Sequence, residues 1–233
     1  MTDSKFKVIN GIELPRVTYV LNTISKGEYL INWVKKLIKD YIADFVDKGG
    51  VISRENITWI VDKLGRLNEE ALKEAGFIGT DFHNVLENIG KGIELPEIKE
   101  PRVKEWVELF NAWVKDNVKA FRETEKDIFT DRYCGTLDAL VELKDGRLAV
   151  LDYKTSKYIY DTHHLQVSAY VKAYEQMEKV KVDTAFILRF EKGDKKPLME
   201  VKEVEKINYQ ADIFNKVLDI WVWKNGGTDV KSK

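Results

Sequence analysis

Apolar residues at Leu30, Ile31, Val34, Leu37, Ile38, Tyr41, Ile42 and Phe45 recur at helical spacing, while Lys35, Lys36, Lys39 and Asp40 take the opposite face. Gly49-Gly50 predicts the end of that helix. Ser53, opening the run SREN, is the expected N-cap of a second helix carrying Ile57, Ile60, Val61, Leu64 and Leu67. Gly79-Thr80-Asp81 is expected to open a third, through His83 and Glu87 to Gly90. After a linker with Gly92, Pro96 and Pro101, the residues Trp106, Leu109, Phe110, Trp113 and Phe121 mark a fourth. Near Asp127 the period changes. DIFTDRYCGTLDALVELKDGRLAVLDYKTS reads as short strands, with Lys144-Asp145-Gly146 as a hairpin turn. Residues 160–178 return to helix, 183–190 and LMEVKEV read as strands, and 205–224 as a last helix. This pattern predicts a helical region over 1–126, a mixed α/β core over 127–224 and a frayed tail over 225–233.

Composition narrows the class. Of the 233 residues, 38 are basic and 39 acidic, so a strongly basic nucleic-acid arm is excluded as a global property. With 44% hydrophobic residues the chain is not an acidic disordered one either. Segment by segment the balance is uneven: residues 1–54 carry 9 basic and 6 acidic side chains. That segment is the expected backbone-tracking surface. Cys134 is the single cysteine, which rules out an intrachain disulfide and a four-cysteine iron–sulfur site within the chain, and points to a reducing interior. MTDSKFKVINGIELP lacks the apolar run of a signal peptide, and no stretch is long and apolar enough to span a bilayer. An intracellular, cytoplasmic location without membrane association is the expectation, with a phage, virus or plasmid origin also compatible.

The candidate chemistry lies in four short pieces. His83 and Glu87 share a helix face at i,i+4. Gly135-Thr136-Leu137-Asp138 sits in one strand and Asp152-Tyr153-Lys154-Thr155 in the next. Gln166 and Tyr170 stand at i,i+4 on the following helix. A strand's period of two puts Asp152 and Lys154 on one face, and the hairpin turn brings Asp138 across from Asp152. Two carboxylates with apolar neighbours need positive charge between them. A hard divalent cation beside Lys154 meets that need. Carboxylates, a cation and a lysine suit phosphodiester hydrolysis, where the lysine orients water or meets developing negative charge. His83 would add an imidazole ligand and favour manganese alongside magnesium. Each piece alone has a plainer meaning: D-x-K is usually a surface ion pair, His163 and His164 point apart on a helix, and Cys134 is a small core residue. Their order, element type and spacing together favour the site.

Those stretches, GTDFHNVLENIGKG and EKDIFTDRYCGTLDALVELKDGRLAVLDYKTSKYIYDTHHLQVSAYVKAYEQ, resemble the PD-(D/E)xK nuclease superfamily, in its RecB-like branch with the mitochondrial genome maintenance exonuclease and the CRISPR-adaptation nucleases. LPRVTYVLNTI resembles the Pro-Ser-Val-Thr segment near the start of such domains, with Arg16 in place of serine. The resemblance implies a restriction-endonuclease-like mixed sheet flanked by helices, with a helical N-terminal lobe. It implies Asp138 and Asp152 as metal-ligating acids, His83 and the Tyr153 carbonyl as further ligands, Glu87 as an accessory acid and Lys154 as the catalytic lysine. Gln166 and Tyr170 would contact DNA and brace the site, with Thr155 and Arg16 as further DNA contacts. The cofactor would be Mg2+ or Mn2+, without an iron–sulfur cluster.

The expected activity is metal-dependent DNA cleavage, by an exonuclease or a single-strand or end-processing enzyme of replication, recombination or repair. DNA, single-stranded or with free ends, is the expected partner, beside a homo-oligomer or replication and recombination proteins. The alternatives are a non-catalytic DNA-binding protein keeping the fold, and an interaction protein built on the six tryptophans, which are more simply core and interface residues.

Overall fold

The computed structural model describes residues 5–24, 27–191 and 198–226, with the backbone path alone along 27–34 and 67–77. In chain order the elements are β1 (Phe6–Ile9), β2 (Ile12–Pro15), α1 (Val17–Leu21), α2 (Gly27–Asp47), α3 (Ile57–Lys91) and α4 (Pro101–Asn117). They continue with β3 (Val118–Phe129), β4 (Cys134–Leu143), β5 (Leu148–Lys154), α5 (Asp161–Glu178), β6 (Thr184–Phe190), β7 (Met199–Glu203) and α6 (Ile207–Lys224). The chain forms two compact units, residues 26–80 and the remainder.

In the larger unit the sheet order is β3-β4-β5-β6-β7. Neighbours are antiparallel except β5 and β6, which run parallel with Lys154 beside Arg189. A parallel pair needs a crossover connection, and α5 supplies it. One face of the sheet buries Leu140, Val150, Ala185 and Ile187 in a cluster with Leu165 and Val171 of α5, Phe214 and Leu218 of α6, and Val17 and Val20 of α1. The other face is aromatic. Phe190 meets Phe82 of α3 at 4.5 Å between ring centroids and Trp106 of α4 at 6.0 Å. Phe110 meets the Tyr153 ring at 5.5 Å in edge-to-face geometry. The result is a mixed α/β architecture, helices on both faces of a mixed sheet, as the pattern of elements leads one to expect.

In the smaller unit Phe45 packs on Trp59 at 6.4 Å, and the Lys63 ammonium lies over the rings of Trp59 and Tyr41. Trp33 and Leu67 lie outside the residues whose side chains are described, and most of the expected tail, 227–233, outside the described residues altogether.

Three local readings change, and one hairpin is added. The helix through His83 does not begin at Gly79-Thr80-Asp81; α3 runs unbroken through it. An interior glycine costs about 1 kcal/mol, too little to end a long cooperative helix. SREN forms a turn ahead of α3 rather than its first turn: the Ser53 N–H donates to Asn56 Oδ1 at 2.8 Å, and the Ser53 carbonyl accepts from Asn56 and Ile57. Phe121 belongs to β3, which starts at Val118, so the boundary expected between 126 and 127 falls within a strand. Phe121 matches the helical spacing of Phe110 and Trp113 by coincidence; pairing with β4 decides its state. Finally, Asn10-Gly11 makes a tight hairpin between β1 and β2, with φ of 52° and 79°. Positive φ at both positions is what such a two-residue turn requires, and Asn-Gly is its strongest sequence sign.

Candidate active site

The β4–β5 ladder holds Ala139 opposite Leu151 and goes no further toward the next pair, Asp138 and Asp152. There Asp138 Oδ2 accepts the Tyr153 N–H at 2.6 Å, so the aspartate caps a backbone donor of the neighbouring strand. Its other oxygen, Oδ1, faces His83 Nδ1 of α3 at 3.7 Å. On the outer side, β3 pairs Thr124 with Ala139 and Lys126 with Leu137, which sets Glu125 opposite Asp138. Glu125 has φ of 47°, the left-handed region that a residue with a Cβ rarely adopts. Such a backbone costs about 1–3 kcal/mol and persists where the surroundings hold it.

One ligand-type atom from each of His83, Glu125 and Asp138 lies within 4.8 Å of the others. Burial, and then the charge of Asp138, push the Glu125 carboxyl up to about 7. Glu87, expected near the site, adds to that negative field and pairs with Lys91 on its own helix. The cluster is thus short of positive charge, and two hard carboxylates with an imidazole fit a divalent cation of the magnesium or manganese kind.

Beside this trio sits an ion pair between a buried acid and a half-buried lysine. Asp152 is 1% exposed, and the Lys154 ammonium lies 2.8 Å from its Oδ2 and 3.0 Å from its Oδ1. The Gln166 amide of α5 donates to Asp152 Oδ1 at 3.2 Å and to the Tyr170 hydroxyl at 3.2 Å. Asp152 Oδ2 is buried without a hydrogen bond, its contact with Lys154 being ionic rather than directional. The lysine ammonium is thus the charge that offsets this buried oxygen. Burial raises the pKa of Asp152; Lys154 opposes the rise and the Asp138 charge adds to it.

The expected cross-strand pairing of Asp138 with Asp152 is therefore replaced by a splay, in which one acid turns to His83 and Glu125 and the other to Lys154 and Gln166. The Tyr153 backbone joins the two halves. Its ring is buried against Phe110 and lies 5.9 Å from the His83 ring. Tyr170 is 4% exposed, so its place is beneath the site and not on a DNA-facing surface. It also explains Gly135: a Cβ there would stand 2.5 Å from Tyr170 Cε1. Thr155 follows the end of β5, half-buried. Arg16 precedes α1 and bridges to Cys134. Burial pushes the nearby Asp127 carboxyl up, but hydrogen bonds from Lys7 and Thr136 and then the charges of Lys7 and Arg16 outweigh it and hold the group below its ordinary range. Arg16 is not part of the trio. His163 is tied into the start of α5, with Nδ1 accepting the Tyr160 N–H at 3.3 Å. Glu125 escapes a reading of the sequence because its relation to Asp138 exists only once the β3–β4 register is known.

A family profile described as the PD-(D/E)XK nuclease superfamily matches residues 94–223. The chain belongs to this superfamily. Two solved structures resemble this nuclease-superfamily chain. The crystal structure of SSO0001 is 13% identical, covering 85% of this chain and 86% of its own, with a TM-score of 0.38. A protein from Eubacterium rectale named "Putative exonuclease" is 14% identical, covering 94% of this chain and 78% of its own, with a TM-score of 0.39. No curated protein matches the sequence. The five-stranded mixed sheet with helices on both faces is consistent with the restriction-endonuclease-like fold of the superfamily. A nuclease superfamily implies nucleic acid as substrate. Among the described residues no helix is long and apolar enough to cross a membrane.

Proposed function

We propose that the chain is a Mg2+- or Mn2+-dependent deoxyribonuclease of the RecB-like branch, acting as an exonuclease or end-processing enzyme in replication, recombination or repair. The observation that carries the reading is the adjacency of a cation-deficient His83–Glu125–Asp138 cluster and the pair of buried Asp152 with Lys154, joined by the Tyr153 backbone. His83, Glu125 and Asp138 would hold the metal, with Asp152 and the Tyr153 carbonyl as further donors and Glu87 as an accessory acid. When bound, the cation supplies Lewis acidity toward a phosphodiester and toward water.

Lys154 keeps a compact positive charge at the edge of the site, where it orients water and stabilises negative charge developing on phosphate. Asp152 fixes that ammonium. Gln166 fixes Asp152 in turn and rests on Tyr170, so Tyr170 acts as a brace. Gln166, Thr155 and Arg16 are assigned to the DNA-facing edge. The relevant assay uses single- and double-stranded DNA labelled at the 5′ or 3′ end, with Mg2+, Mn2+ or EDTA, beside closed circular DNA. Metal-dependent loss of nucleotides from ends, sparing the circle, is expected. Binding in EDTA with no cleavage when metal is restored would instead make the chain a DNA-binding protein that keeps the fold.

A further inference from the structure

We propose that the loop between Lys154 and α5 is a preformed nucleic-acid grip, in which Tyr158 stacks on a base and Lys157 meets the flanking phosphate, with Arg189 as the positioning residue beneath it. The proposal rests on the nuclease reading for the direction of the strand into the site. The observations are local to the loop.

Arg189 is a buried cation, 6% exposed, on β6 directly beside Lys154. Paired residues of parallel strands point to the same face, so Arg189 shares the side of the sheet that carries Asp152 and Lys154. Its guanidinium is engaged by the loop and by β7. Nη1 donates to the Lys157 carbonyl at 2.8 Å and the Ser156 carbonyl at 3.3 Å, while Nε donates to Glu200 at 2.7 Å. Buried charges are retained where they are paired and their donors are used; here Glu200 and Glu191 pair the charge while Nη1 holds the backbone of a loop. The Ser156 hydroxyl tightens the same turn by donating to the Tyr158 carbonyl at 2.7 Å.

What this frame presents outward is an aromatic ring and a cation. Tyr158 is 48% exposed, the Lys157 ammonium lies 5.2 Å from its ring centroid, and Tyr160 meets the ring edge-on at 6.3 Å. A large side chain left in water on a pinned loop has given up much of its entropy before any ligand arrives, which favours binding. An aromatic face next to a lysine is the combination that holds a single strand, the ring by stacking and the lysine by charge. The loop begins where Lys154 ends, so a strand gripped there is delivered to the proposed site.

The test measures binding of a fluorescent oligodeoxythymidine in EDTA by anisotropy, with cleavage in Mn2+ assayed separately. Tyr158→Ala is expected to weaken binding roughly 5- to 100-fold, and Tyr158→Phe to retain it. Lys157→Gln is expected to lower the slope of log K against log salt by about 0.7. Arg189→Lys keeps the charge but loses the fork, and is expected to weaken binding without loss of circular-dichroism helicity. Its effect should be non-additive with Tyr158→Ala in a double-mutant cycle. Wild-type affinity in Tyr158→Ala, or full additivity of the two substitutions, overturns the grip. A wild-type protein that binds through Tyr158 yet never cleaves leaves the grip standing and overturns the nuclease reading. One that cleaves with Tyr158 silent does the reverse.

Discussion

Glu125 combines a left-handed backbone with a carboxyl pushed up to about 7, and both costs arise at its place opposite Asp138. A carboxyl whose folded pKa is raised keeps its proton after the unfolded chain has lost it. Metal-free stability contributed here is therefore present at low pH and declines as pH climbs from the ordinary 4.5 to about 7. The raised Asp152 carboxyl acts in the same direction. In EDTA, Glu125→Gln is expected to melt at a higher temperature than wild type at pH 8 and to match it at pH 4; thermal melts across that range check this. The same substitution removes one of the proposed metal ligands, so Mn2+ should raise its melting temperature less than that of wild type, a comparison independent of activity. Lys154→Ala removes the cation beside Asp152 and is expected to reduce cleavage by at least about 100-fold, with near-ultraviolet circular dichroism unchanged. Unreduced cleavage would displace Lys154 from its role. Gly135→Ala drives a methyl into the Tyr170 ring and is expected to cost about 1–3 kcal/mol in urea unfolding, most of it recovered in the Tyr170→Leu background.

Among the elements, the hairpin of β1 and β2 and the strand β3 show how local and long-range signals divide. Asn10-Gly11 is a purely local instruction, visible in the sequence, and Gly11→Ala is expected to destabilise the fold by about 1 kcal/mol because its φ is positive. β3 carries no such instruction. VKAFRETEKDIF mixes charges and apolar residues without a clean alternation, its register with β4 shifts twice, and Phe121 fits a helix as well as a strand. Only the partner strand resolves that ambiguity, as β propensity depends on what the strand packs against. The continuous α3 is the opposite case: glycines that look like stops cost less than breaking the helix would. The Lys144-Asp145-Gly146 turn is legible because it is local, with the Gly146 φ at 89°.

At the scale of the whole molecule the near-zero net charge hides a basic N-terminal segment, and Lys35, Lys36 and Lys39 all lie on α2. Replacing each with glutamine is expected to reduce the salt slope of DNA binding by roughly 0.7–0.9 for every phosphate left without its lysine, with less effect on cleavage at saturating DNA. An unchanged slope would move strand tracking to another surface.

The sequence by itself determined the mixed α/β class, the β4–β5 hairpin and the D-x-K strand, because periodicity and turn chemistry are properties of neighbouring residues. It also set Asp152 with Lys154 on one strand face and Gln166 with Tyr170 on one helix face, since fixed spacings within a strand and within a helix leave little freedom. The tertiary structure decided what those spacings could not. The β4–β5 ladder stops short of the Asp138–Asp152 pair, so the two acids turn to different partners, and Glu125 completes a cluster with His83 from elements far apart in the chain. Register and splay depend on how whole strands pack, and no local pattern encodes them.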